Sequence, residues 1–137
     1  MKKVIITGGN SGIGYQAAKQ LAEKGWSVTL FCRREEAAQQ ACEKIRQQTG
    51  NPHLDYILVD LSEMRSIKKA VEQYIHKEET LDVLINNAAD FDLSIQSPVI
   101  TKDGLEKQFA TNVVAPFLLS TLLKGLLEKS ESGRIIN

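Results

Sequence analysis

The apolar, β-branched run KKVIIT (Lys2 to Thr7) leads straight into the glycine-rich stretch TGGNSGIG (Thr7 to Gly14), and a helical period begins before that stretch is over. A strand that passes through glycines into a helix restricts the fold more than any other feature of this chain. The run has no polar alternation, so it reads as a strand buried on both faces. After it Ile13, Ala17 and Leu21 recur every four positions, which predicts a helix with those residues inward, stopped at Gly25.

The alternation continues. SVTLFC (Ser27 to Cys32) predicts a second strand, and REEAAQQACEKIRQQTG, with Ala37, Ala41 and Ile45 on one face, a second helix. Gly50, Asn51 and Pro52 predict the turn into a third strand, LDYILVD (Leu54 to Asp60). Ser62 is placed to cap a third helix carrying Ile67, Val71 and Ile75, and LDVLINN (Leu81 to Asn87) reads as a fourth strand. A loop rich in Asp and Ser leads to a long helix, expected from Thr101 to Lys129, and GRIIN (Gly133 to Asn137) opens a fifth strand. Strands alternating with helices predict an α/β fold: a doubly wound, Rossmann-like parallel sheet with helices on both faces. No repeat, linker or low-complexity segment interrupts it, so residues 1–137 read as one domain of this fold, which stops as the fifth strand opens.

Composition narrows the function classes. The 137 residues are 42% hydrophobic, and 17 basic side chains balance 17 acidic ones. That balance leaves no electrostatic reason to expect nucleic acid or an anionic membrane as partner. Gly8 and Gly9 cut the amino-terminal apolar run far below signal-peptide or membrane-span length, so a cytoplasmic chain without a membrane span is expected. Cys32 and Cys42 make neither a disulfide framework nor a metal knuckle; both read as small buried thiols, and no metal site is expected.

Between a strand and a helix, Gly8, Gly12 and Gly14 allow a tight turn and a close backbone approach to a phosphate, with the helix amino terminus facing the anion. Their spacing is not GxGxxG, but the strand before and the helix after supply the context that such a loop needs.

TGGNSGIG, of the form TGxxxGxG, followed by NNAA (Asn86 to Ala89) and TNVVAPFLL (Thr111 to Leu119), resembles the short-chain dehydrogenase/reductase family along the whole chain. The resemblance implies that the glycine loop binds a nicotinamide dinucleotide through Gly8, Asn10, Ser11, Gly12, Ile13 and Gly14. It implies that Asn86, Asn87 and Ala88 steady the sheet beside the cofactor and that Asp60, with Leu61, meets the adenine. It also assigns Asn112 to the catalytic tetrad. Ala89 stands where the family has Gly.

The choice of cofactor follows from charge. A free ribose 2′-hydroxyl is best met by a carboxylate about 20 residues past the glycine loop. Here CRRE stands at that place, with Cys32 in the acidic slot and Arg33 after it. An arginine there offers a charge-assisted hydrogen bond to a 2′-phosphate, so NADP is expected over NAD.

Pro116 lies inside the long helix, where its missing N–H leaves the Asn112 carbonyl without its helical partner. A freed carbonyl there matches the role the resemblance implies, holding a water in a proton relay. Reduction of a carbonyl also needs an acid near the substrate oxygen, and a phenol beside a lysine supplies one. Tyr15 and Lys19 have the Tyr-x-x-x-Lys spacing, but they are expected to point outward from the first helix, under the glycine loop, and not to be catalytic. Tyr56 and Tyr74 are followed four positions on by Asp60 and Glu78. The family's Ser, Tyr and Lys are therefore expected to be missing from this stretch of chain. His53 and His76 are expected at the amino edge of the sheet, away from the ligand crevice.

Two readings follow. The first is the NADP-binding portion of an oxidoreductase acting on an alcohol or carbonyl compound; the alternative is a non-catalytic dinucleotide-binding or dimerising module. TGGNSGIG, FCRR and TKDGLEKQFATNVVAPFLL look most like the subgroup resembling retinol dehydrogenases, which implies an apolar substrate. In the long helix Leu105, Phe109, Val113 and Phe117 form one stripe while leucines from Leu118 to Leu127 spread around it, so a homo-oligomer is expected.

Overall fold

A computed structural model describes all residues from Met1 to Asn137. Strands β1 (Lys3–Thr7), β2 (Ser27–Cys32), β3 (Leu54–Leu58), β4 (Val83–Ile85) and β5 (Arg134–Ile136) alternate with helices α1 (Gly12–Glu23), α2 (Glu35–Thr49) and α3 (Met64–Lys77). Helix α4 (Lys107–Glu128) fills the last crossover. All strand pairs are parallel and the order is β3-β2-β1-β4-β5. The chain steps outward from β1 through β2 to β3, then returns to the other side of β1 for β4 and β5. That reversal opens a crevice beyond the carboxyl ends of β1 and β4, where open α/β sheets take their ligands.

Both faces of the sheet are covered, which explains strands without polar alternation. On one face Ile5, Phe31, Ile57 and Leu84 pack with Ile67, Ala70, Val71 and Tyr74 of α3 and with Ala115, Leu119 and Leu123 of α4. On the other, Val4, Ile6, Val28 and Leu30 meet Ala18 and Ala22 of α1 and Ala38, Ala41 and Ile45 of α2. The buried Asn51 side chain ties the α1 end to the turn before β3, donating to the Ala22 and Trp26 carbonyls and accepting from the His53 N–H.

Four expectations need correction. The inner face of α1 is Gly14, Ala18 and Ala22, one residue on from the predicted stripe, and Ile13 is 83% exposed. Small residues win that face because the helix lies close against the loop and sheet. In α3 the buried side chain is Tyr74, set edge-to-face on Phe31, while Ile75 faces out. Ser62 does not cap α3: its hydroxyl bonds Asp60, and the Met64 N–H donates instead to the Asp103 carboxylate, a distant residue that local spacing does not reveal. Helix α4 starts at Lys107, not Thr101, because Gly104 takes a left-handed turn (φ 76°) and Glu106 caps the helix, accepting from the Gln108 and Phe109 N–H groups.

Helix α4 is an α-turn, a π-helical stretch (Ala110–Val114) and an α-helix (Ala115–Glu128). It has 22 residues and contains an 18-residue window of mean hydropathy 1.4. By length and composition alone it is therefore long and apolar enough to cross a membrane, which the expectation of no span did not foresee. In this fold it lies on the sheet through Ala115, Leu119, Leu123, Leu126 and Leu127. Phe109, Val113 and Phe117 face away from the sheet and are exposed.

Candidate functional site

The site is organised from Thr7, the last residue of β1. Its hydroxyl donates to the Ile85 carbonyl at 3.4 Å and accepts from the Ala88 N–H at 3.0 Å. The Asn87 amide donates to the Thr7 carbonyl at 3.1 Å and to the Gly8 carbonyl at 3.3 Å. Neighbouring parallel strands thus bring the Asn-Asn-Ala segment onto the glycine loop. Gly8 turns with φ 64° and Gly12 with φ 55°, a region L side chains enter only with strain. Gly14 answers a different need: a Cβ there sits 2.5 Å from both Asn87 Nδ2 and the Gly8 carbonyl oxygen, so any side chain pushes α1 off the loop.

A cleft of about 360 Å³ opens over this junction. The loop lines it with Gly8, Asn10 and Ser11, the end of β2 with Cys32, Arg33 and Arg34, and the segment after β3 with Asp60, Leu61 and Ser62. Ala88, Ala89, Asp90, Lys107 and Thr111 close it. Of the residues expected at a cofactor, Gly8, Asn10, Ser11, Arg33, Asp60, Leu61 and Ala88 therefore share one cleft. Gly12, Ile13 and Gly14 form the first turn of α1 beside it and do not line it.

The charges of this cleft are set by its surroundings. Burial pushes the Cys32 thiol up to about 11, against hydrogen bonds from the Gly9 and Asn10 backbone, so it stays neutral. Arg33 beside it is exposed. Burial works to raise the Asp60 carboxyl as well, but hydrogen bonds from the Ser62 hydroxyl (2.6 Å) and N–H (2.9 Å), with Arg33 and Lys107 nearby, outweigh it and hold Asp60 below its ordinary range.

A second cleft of about 570 Å³ adjoins the first and shares Ala88 and Ala89 with it. Asn86, Asn87, Asn112, Val113, Pro116, Phe117 and Ser120 line it. The Asn112 amide accepts from the Asp90 N–H and donates to the Asp90 carbonyl, both at 2.7 Å. Pro116 stands one residue beyond Ala115, which follows the π-helical turn that contains Asn112, a backbone irregularity frequent at functional sites. The Asn86 amide nitrogen donates to Asn137, while its carbonyl oxygen is buried without a partner.

Tyr15 is half-buried and turned toward α2: its hydroxyl donates to Gln48 at 3.1 Å, and the Lys44 ammonium lies 5.5 Å from its ring. Lys19 pairs with Glu23 at 3.7 Å. Neither residue lines either cleft. Sequence reasoning missed Thr7 as the pivot, and Asp90 and Lys107 as cleft residues. Their only local signal is position next to recognised motifs, because the sheet order brings them together.

Comparison with known proteins agrees with this geometry. A family model described as short chain dehydrogenase matches residues 2–137. Retinol dehydrogenase 13 of Mus musculus is 42% identical over 137 residues, covering 99% of this chain and 40% of the relative. Dehydrogenase/reductase SDR family member 12 of Bos taurus is 42% identical over 132 residues, 96% of this chain and 40% of the relative. The chain thus spans 40% of the length of these curated relatives. Among solved structures, the Pseudomonas aeruginosa RhlG/NADP active-site complex superposes with a TM-score of 0.83 at 28% identity, over 99% of this chain and 53% of that one. The stapled glycine loop, the five-stranded order and the family match over residues 2–137 lead to one conclusion: the chain belongs to the short chain dehydrogenase family.

Proposed function

We propose that residues 1–137 are the NADP(H)-binding part of an oxidoreductase that transfers hydride between NADP(H) and an apolar alcohol or carbonyl compound. One observation carries this reading. In the cleft at the switch point, the position where a carboxylate would select a 2′-hydroxyl holds a buried neutral thiol, and an exposed arginine follows it.

The residues fit the cofactor. Space beside Gly12, where an added Cβ meets nothing within 4 Å, leaves the α1 amino terminus open to a pyrophosphate. Arg33 would hold the 2′-phosphate, Asp60 and Leu61 the adenine, and the Asn86 to Ala88 segment the wall beside them. NADP(H), when bound, supplies or accepts the hydride. Asn112 would hold a water through its backbone carbonyl, to which Pro116 offers no N–H. The apolar substrate is supported by the relative named retinol dehydrogenase 13 and by Val113, Pro116 and Phe117 in the second cleft.

The test is a titration of the chain with NADPH and NADH. NADPH is expected to bind more tightly, and Arg33→Ala to erase the difference. Equal affinities before mutation would remove the 2′-phosphate contact from the reading.

A second reading, a dinucleotide-binding module without turnover, is favoured by the placement of Tyr15 and Lys19, since no phenol–lysine pair of residues 1–137 reaches either cleft. Both readings expect residues 1–137 to bind NADPH without oxidising it in the presence of apolar aldehydes. Turnover by the polypeptide made from the native gene selects the first, and tight binding without turnover by that polypeptide selects the second.

A further inference from the structure

Five charged side chains line the first cleft: Arg33, Arg34, Asp60, Asp90 and Lys107. Lys107 has no part in the reading above. It opens α4, and its ammonium lies 3.6 Å from the Asp90 carboxylate, with both side chains partly shielded from water. The Asn112 amide grips the Asp90 backbone at 2.7 Å on both its N–H and its carbonyl, so the fold keeps this carboxylate on the cleft wall. Asp60 is similarly fixed by its two bonds from Ser62, and Lys107 acts on its charge as well. Two carboxylates thus stand in a cleft meant for a ligand that carries several phosphate charges.

We propose that Lys107 is an affinity-determining residue of this cleft: by neutralising Asp90 and screening Asp60 it keeps the cleft net positive toward a phosphate-bearing dinucleotide. With Lys107 the cleft holds three cations against two anions; without it, charges balance and the attraction for a polyanion is lost. The inference rests on the NADP(H) reading and differs from the role given to Arg33. Arg33 meets the phosphate that NADP(H) alone carries, whereas Lys107 acts on charges common to both dinucleotides.

Titration of NADPH and NADH at low and moderate salt tests it on the intact chain, Lys107→Met, and Lys107→Met combined with Asp90→Asn. Lys107→Met is expected to weaken both dinucleotides by about five-fold, the size of one unit charge acting across a water-filled cleft. Its affinity is also expected to fall less steeply with salt. Adding Asp90→Asn restores the net positive charge and should restore both affinity and salt slope, although the lysine is still missing. Unchanged binding by Lys107→Met overturns the proposal, and so does a loss that Asp90→Asn fails to repair. If the intact chain binds neither dinucleotide, the NADP(H) reading falls and this inference with it; if it binds and only the variants disagree, the inference alone falls.

Discussion

Asn112 holds Asp90 by its backbone alone, accepting from the N–H and donating to the carbonyl at 2.7 Å each. The contact joins the segment after β4 to the π-helical turn of α4, and so gives the two clefts a common wall. Asn112→Leu removes both bonds at similar volume. At a net value of about 1 kcal/mol per hydrogen bond, a loss of about 2 kcal/mol in urea unfolding is expected. Hydrogen exchange at the Asp90 amide should accelerate in parallel. Unaltered exchange would show that other contacts hold the wall.

Gly14→Ala and Gly12→Ala separate two uses of glycine. Gly12 has a positive φ with open space around it, so alanine there meets only backbone strain of about 1 kcal/mol. Alanine at Gly14 places its Cβ 2.5 Å from Asn87 and from the Gly8 carbonyl, and should cost about 2 to 3 kcal/mol by overpacking. Equilibrium unfolding of the two variants checks the order. Equal losses would mean that the loop yields to the added methyl.

The two thiols give the folded chain an alkaline limit. Cys32 is pushed from 9.0 to about 11 by burial, opposed by the Gly9 and Asn10 backbone. Burial likewise takes Cys42 from 9.0 to about 11, opposed by Arg46 and reinforced by Cys32 and Asp55. Between those values the unfolded chain releases protons that the folded chain keeps, so stability from this source is complete below about pH 9 and is lost as pH rises through about 11. Urea midpoints should fall across that window, and less so in Cys32→Ala/Cys42→Ala. Thiol reagents at neutral pH should be slow on the folded chain and fast after unfolding.

Phe109, Val113 and Phe117 leave one face of α4 apolar and open, with Phe117 72% exposed. Concentration-dependent self-association is expected in light scattering, and Val113→Ser/Phe117→Lys should reduce it while leaving the melting temperature nearly unchanged, because neither side chain belongs to the core. A monomer at all concentrations would remove this face as a contact between copies.

How much was legible in the sequence follows from the range of the forces involved. The order of strands and helices, the loop between β1 and α1, and the Cys-Arg pair after β2 depend on residues that are neighbours in the chain, and hydrophobic period, glycine and proline report them directly. The doubly wound parallel arrangement followed, because a strand covered on both faces needs helices on both. The end of α3 nearest the clefts, the true inner face of α1 and the start of α4 were not legible. Asp103 reaches Met64 across 39 residues, Asn87 reaches Thr7 across 80, and Asp90 reaches Asn112 across 22. Only the return of the chain from β3 to β4, beside β1, brings such groups within hydrogen-bond range, and the charge balance of Arg33, Asp60, Asp90 and Lys107 exists only once it has done so.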